Sequence, residues 1–245
     1  MIGDASAHCD AGLSKGRLGQ HERFGPNDLC SAVHGLTWTR AQRLIRAAHG
    51  LTGQIGELAC SGRSVMHEVL GEHAAAEPWV QYPEPMVEDP RTGAGYFFHS
   101  HGPSRSHPDE RGHFHVFVRG LEACHSHLLA IAVDAYGMPI RLLTTNRWVT
   151  AETWSPADTL LAGAEEFSLV TPNSDAALDR WVTHCVRLFQ PQLKWLVYRR
   201  DARLRTLSAG RDFERVLEDR RIEILSECRI SVGEQMTALQ AALDA

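Results

Sequence analysis

The sequence predicts an α+β fold in which a small antiparallel sheet carries a histidine cluster and is flanked by N-terminal and C-terminal helices. Apolar positions recur at intervals of three and four before about residue 70 and after about residue 157, but at intervals of two between about 95 and 150. The third observation locates the chemistry. Seven of the fourteen histidines fall between His99 and His127, and three pairs among them are spaced as His-x-His.

The chain is long enough to bury a sizeable core as one domain. Residues 1–36, rich in Gly, Ser, Asp and His, are read as a flexible arm, and residues 37–245 as a single α+β domain with its sheet at about 95–150 and C-terminal helices at about 157–244. A net charge of -5 offers no cationic footprint for nucleic acid, so no nucleic-acid partner is expected. No stretch approaches the roughly 20 apolar residues that span a bilayer, and the N-terminus lacks the apolar run of a secretory signal. The expectation is a cytoplasmic protein without a membrane partner. Six cysteines without a C-x-x-C pair signal neither a zinc ribbon nor a redox dithiol.

The elements follow in order. In TWTRAQRLIRAAHGL the apolar residues Trp38, Ala41, Leu44, Ile45 and Ala48 keep helical spacing, with Thr37 as N-cap. A second helix is expected at about 53–70, with His67 and His73 on its surface. The proline-rich PWVQYPEPMVEDPRTG reads as an extended loop. Strands are expected near 96–101, 113–119, 127–134 and 139–146, the last two joined by AYGMP, where Gly137 supplies a permissive backbone. A short helix at 160–167 precedes NSDAALDRWVTHCVRLFQPQLKWLVYRRDARLRTL, which reads as two helical segments divided at Pro191, the first capped by Ser174 or Asp175. RDFERVLEDRRIEILSECRI places Phe213, Val216, Leu217, Ile224 and Leu225 near one face of a helix, and a final helix runs to about residue 243.

Side chains alternate across a strand, so His99 and His101 share one face with Phe97, and His113 and His115 share one face with Phe117 and Arg119. Lining such a face with imidazoles and aromatic rings, where a solvated strand would show Lys, Glu or Thr, suggests a cavity. Two adjacent strands would bring four imidazoles within reach of one ion. A single His-x-His is more often a hydrogen-bonded structural pair; two pairs with intervening acids favour metal. The connecting GPSRSHPDERG holds Arg105, His107, Asp109 and Glu110. Of these Glu110 is the one expected to complete the site or to orient an imidazole from behind. The third pair, His125 and His127 beside Cys124, shares its face by alternation with Leu129, Ile131 and Val133, and is the weaker candidate. In TTNRWVTAE, Thr144, Asn146 and Trp148 fall on one face of an extended segment with Arg147 opposite. Asn146, Arg147 and Trp148 could therefore bind substrate, with Arg119 or Arg147 holding a carboxylate or phosphate by a forked hydrogen bond.

The stretch from about 82 to 152, with YP, YFFHSH, GHFHVFVR, HLLAIAVDAYGMP and TTNRWVT in this order, resembles an uncharacterised bacterial family, a domain of unknown function. The resemblance implies a shared fold, carries His99, His101, His113 and His115 as motif positions, and brings no activity. A cupin is similar in having His-x-His followed by Glu, but Glu110 comes nine positions after His101 and a late histidine motif is missing. A histidine-triad hydrolase needs a third alternating histidine where HFHVFV has Phe117.

The function expected from these residues is that of a metal-dependent enzyme acting on a small-molecule substrate. One transition-metal ion, iron(II) or zinc, would be held by His99, His101, His113 and His115, with Glu110 and Arg119 as catalytic residues. The absence of thiolates leans toward iron. A non-catalytic protein that binds or senses metal or haem is the rival, metal-free acid/base chemistry by a histidine pair is a third reading, and a homodimer is left open.

Overall fold

Six strands, β1 (Tyr82–Asp89), β2 (Ala94–His99), β3 (Gly112–Arg119), β4 (His125–Val133), β5 (Pro139–Thr145) and β6 (Ile224–Arg229), pair in that order, each antiparallel to the next. They belong to a computed structural model that describes residues 23–71, 75–101, 108–171 and 176–244. His73, Arg105, His107 and the capping candidates Ser174 and Asp175 lie outside the described residues. Three helices precede the sheet: α1 (Pro26–His34), α2 (Trp38–Cys60) and α3 (Val65–Leu70). Five more, α4 (Arg147–Thr150), α5 (Ala157–Glu165), α6 (Ala176–Leu188), α7 (Gln190–Leu207) and α8 (Phe213–Leu217), fall between β5 and β6, and α9 (Val232–Leu243) follows. No helix among the described residues is long and apolar enough to cross a membrane.

The two faces of the sheet differ because the strands alternate. Tyr96, Phe98, Phe114, Val116, Ile131 and Leu142 point to one side and are almost wholly buried in the main core with residues of α2, α5, α6 and α7. The Phe114 ring meets the buried indole of Trp181 on α6 at a centroid separation of 4.8 Å. At the other edge α7 packs on β5 and β6, where the Ser226 hydroxyl donates to the Leu196 carbonyl at 2.9 Å. Rings and aliphatic chains thus leave water on one face, which frees the opposite face for the imidazoles.

The expected helix start at Thr37 is present, its hydroxyl accepting from Arg40 N, and α6 and α7 are divided where Pro191 opens the second segment. In the β4–β5 hairpin Gly137 takes φ +80, while Asp134 Oδ1 accepts from the amides of Tyr136 and Met138.

Several boundaries differ from those read in the sequence. The segment 26–34, read as part of the arm, is helical: Pro26 opens it, Asp28 accepts from Gly25 N, and Leu29 and Val33, four apart, are buried in the main core. The first long helix continues through Gly50, Gly53 and Gly56 to Cys60, because its Leu44, Ala47, Ala48 and Leu51 are anchored against α6. The proline-rich loop forms β1, at the sheet edge where missing amide donors are tolerated. The helix expected across 211–230 stops at Leu217, and β6 begins at Ile224. From Ser226 onward the pattern is period two, with Ser226 and Cys228 buried and Glu227 and Arg229 exposed. The segment after Thr145, read as extended, turns into α4, with Asn146 as its N-cap.

Candidate metal centre

The strand register sets out the imidazole face in rows. His99 on β2 lies opposite His113 on β3, which lies opposite Ala132, then Arg141, then Arg229 on β6. The next row runs Phe97, His115, Ala130, Leu143, Glu227. Small alanines on β4 leave depth beside the histidines, and the carboxylate of Glu110 spans that row from His113 to Arg141.

Three ring nitrogens, one each from His99, His113 and His115, lie within 4.8 Å of one another, an arrangement that could hold a metal ion. His99 Nε2 is 2.8 Å from His113 Nε2 and 3.3 Å from His115 Nε2. An ion at about 2.1 Å from each nitrogen would separate them by about 3.0 Å in an octahedral corner and about 3.4 Å in a tetrahedral one, and the two His99 separations lie close to those values. His101 comes alongside, with Nε2 3.4 Å from His113 Nε2.

The surrounding groups orient these rings. His113 Nδ1 lies 2.8 Å from Glu110 Oε1, and the other carboxylate oxygen accepts from Arg141 at 2.5 Å. Burial alone would raise the Glu110 carboxyl, but hydrogen bonds and charge from His113 and Arg141 outweigh it and hold the group below its ordinary value. An ionised carboxylate only accepts, so His113 donates from Nδ1 and the nitrogen it turns to the centre is Nε2, where an ion would take the place of a proton. His115 Nδ1 pairs with His127 Nε2 at 2.9 Å, and His127 Nδ1 with Thr145 Oγ1 at 3.2 Å. When His115 donates along this chain, its Nε2 is a lone pair facing inward.

The buried rings are held neutral. His115 is pushed well below the usual imidazole value, first by complete burial and then by neighbouring imidazoles. Burial, followed by His113 and His101, brings His99 down to about 3; burial, followed by Arg200 and His113, does the same to His127. Neutral imidazole is the form that ligates.

His127 owes its place to a bulge. Val116 pairs with Leu129 but Phe117 pairs with His127, so Leu128 is an extra residue in β4. Leu128 and Leu129 are both buried in the main core, and His127, which simple alternation would send with Leu129, faces His115 and Phe117 instead. The doubled Leu in HSHLL was the available signal.

The other candidates are placed elsewhere. Arg119, four residues beyond His115, donates to the carbonyls of Pro90 and Arg91. Asn146 is fully buried, its amide donating to the Val216 carbonyl at 2.9 Å, and Trp148 Nε1 donates to the Ile222 carbonyl at 2.7 Å. Arg147 pairs with Glu214 and Glu218. Those three are brought together around the connection from α8 to β6 and not onto the imidazoles. Asp109 is exposed, 3.7 Å from Arg229, and His125 pairs with Glu88 at 3.0 Å. Arg141, which sequence reasoning passed over, is tied to Glu227 as well as Glu110.

Comparison with curated proteins gives no match, and comparison with solved structures gives none either. A family model, DUF6969 (domain of unknown function), matches residues 45–230, a span that holds all six strands and the whole imidazole cluster, and the chain belongs to that family.

Proposed function

We propose that the chain is a metal-dependent enzyme whose ion is held by the Nε2 atoms of His99, His113 and His115. The observation that carries this reading is the Glu110–His113 pair, which fixes Nδ1 of His113 as the donor and turns its Nε2 inward beside the neutral rings of His99 and His115 in a largely buried cluster. Outer partners that fix the tautomer of a ligating histidine are a regular part of metal sites.

The donor set also bears on the metal. Absence of thiolates leaned toward iron(II), but Glu110 faces the outer nitrogen of His113, which removes the carboxylate expected of an iron facial triad. Three imidazoles with a remaining position match catalytic zinc, which polarises a substrate oxygen or activates bound water when present. In this reading His99, His113 and His115 bind the ion, Glu110 and His127 set the direction of two of them, and Arg141 keeps Glu110 ionised. A small-molecule substrate would enter on the side of His101. Free thiols at Cys30, Cys60 and Cys124, all exposed, fit a reducing cytoplasm.

X-ray absorption on the zinc-loaded chain tests the ligand set. Three imidazole nitrogens and one further light atom at about 2.0–2.1 Å are expected; a sulfur donor or four imidazoles would overturn it. The 2.8 Å approach of His99 Nε2 to His113 Nε2 also suits a direct hydrogen bond, and so supports metal-free acid/base chemistry as the second reading. That reading requires full turnover after exhaustive chelation.

A further inference from the structure

Trp79 sits on the solvent side of the cluster and is 56% exposed, although its ring touches two of the histidines. Its centroid is 4.5 Å from that of His101 and 6.4 Å from that of His99, edge-on to both. The backbone there has φ +70, a left-handed conformation unfavourable for a bulky side chain. It is held by the Trp79 amide, which donates to the Ser100 carbonyl at 2.9 Å, and by the bridge from Pro78 to Ser100, the residue between His99 and His101. Strain of this kind persists where surrounding structure imposes it, and it gathers at ligand clamps. Here it keeps an indole beside the ligating rings and leaves over half of the residue's surface in water.

The charged groups of the same face are engaged with one another. Arg141 is bound between Glu110 and Glu227, Arg229 lies near Asp109, and Arg119 is on backbone carbonyls. Aromatic surface from Trp79 and Phe97 borders the imidazoles instead, Phe97 lying 5.8 Å from His99 and 5.0 Å from His115. A flat aromatic ligand suits this border better than a compact inorganic anion does.

We propose that Trp79 is the wall against which substrate stacks, and that the substrate class is a planar aromatic ring bearing an oxygen donor, with the ring on the indole and the oxygen directed to the ion. This rests on the metal-centre reading, and the test separates the two. The full chain is loaded with cobalt(II) and titrated with 4-nitrocatechol, followed by its visible absorption, and separately with azide, a ligand without a ring. Trp79→Asn removes the ring while keeping a residue that tolerates positive φ, and Trp79→Phe keeps a ring. The expected result is that Trp79→Asn weakens 4-nitrocatechol about ten-fold, the size of a lost ring–ring contact. Trp79→Phe should stay close to the native chain, and azide should bind all three equally. Equal 4-nitrocatechol affinity in the native chain and Trp79→Asn overturns the stacking role while leaving the metal centre standing. Loss of the cobalt bands in Trp79→Asn would make the residue structural and overturn the role as well. A native chain without cobalt bands overturns the metal reading and this inference together.

Discussion

Glu110 holds His113 from behind, Oε1 to Nδ1 at 2.8 Å, from three residues earlier: Glu110 precedes β3 and His113 is the second residue of that strand. The carboxylate is nearly inaccessible and is balanced by Arg141 across the short side chain of Ala132. The pair couples the centre of the sheet to its far edge, through Arg141 to Glu227 on β6.

Replacing the carboxylate should therefore loosen the ion without removing a ligand. Glu110→Gln is expected to weaken metal affinity about 10- to 100-fold, the usual cost of losing an outer partner, measured by competition with a coloured chelator. Unchanged affinity would show that His113 needs no such support.

His101 and His113 should behave differently. His113→Ala is expected to lose the ion, whereas His101→Ala, which removes a ring at the edge of the triad, should retain about one per chain. Elemental mass spectrometry on the two variants decides. An empty His101→Ala protein would make His101 a fourth ligand.

Gly112 lies where a side chain has no room: a Cβ there would overlap the Phe98 ring and the His99 carbonyl. Gly112→Ala should cost about 1–3 kcal/mol and disturb His99, lowering both Tm and metal occupancy. Gly53 on α2 faces open space, so Gly53→Ala should raise stability by up to about 1 kcal/mol and leave the metal untouched. Equal thermal shifts in the two variants, read by calorimetry, would contradict this packing.

Glu152 supplies a pH dependence remote from the ion. Burial pushes its carboxyl up to about 8, against the opposing pull of Arg200. The folded-state value exceeds the unfolded one, about 4.3, so this group's stability is fully present below the unfolded value and is lost as pH rises through about 8. Glu152→Gln stays neutral throughout. Its Tm should match the native chain near pH 5 and exceed it increasingly toward pH 9, with a gain on the order of 3 kcal/mol. A gap that does not change with pH would show that Glu152 is charged in the fold.

Much of the site was legible because strands alternate: YFFHSH and HFHVFV each declare an imidazole side and an apolar side, and both strands pair as adjacent neighbours. The alternation of large and small residues in LLAIAV likewise marks which side of β4 is crowded. His127 was harder to place, since a single inserted residue reverses which face it takes. β6 was hidden because Val216, Leu217, Ile224 and Leu225 also fit helical spacing, and only pairing with β5 from Arg141 to Thr145 distinguishes the two. Asn146, Arg147 and Trp148 carry the side chains of a binding site, but their partners come from residues about 70 positions later in the chain, a closeness that no local pattern reveals.

If His99, His113 and His115 hold a catalytic ion, the purified chain carries metal that depends on these side chains. Chain purified without an affinity tag is compared with the His113→Ala/His115→Ala double variant by elemental mass spectrometry. About one transition-metal ion per native chain is expected, zinc before iron, and none in the variant. No metal in the native chain even after anaerobic reconstitution, or full occupancy retained in the variant, would contradict it.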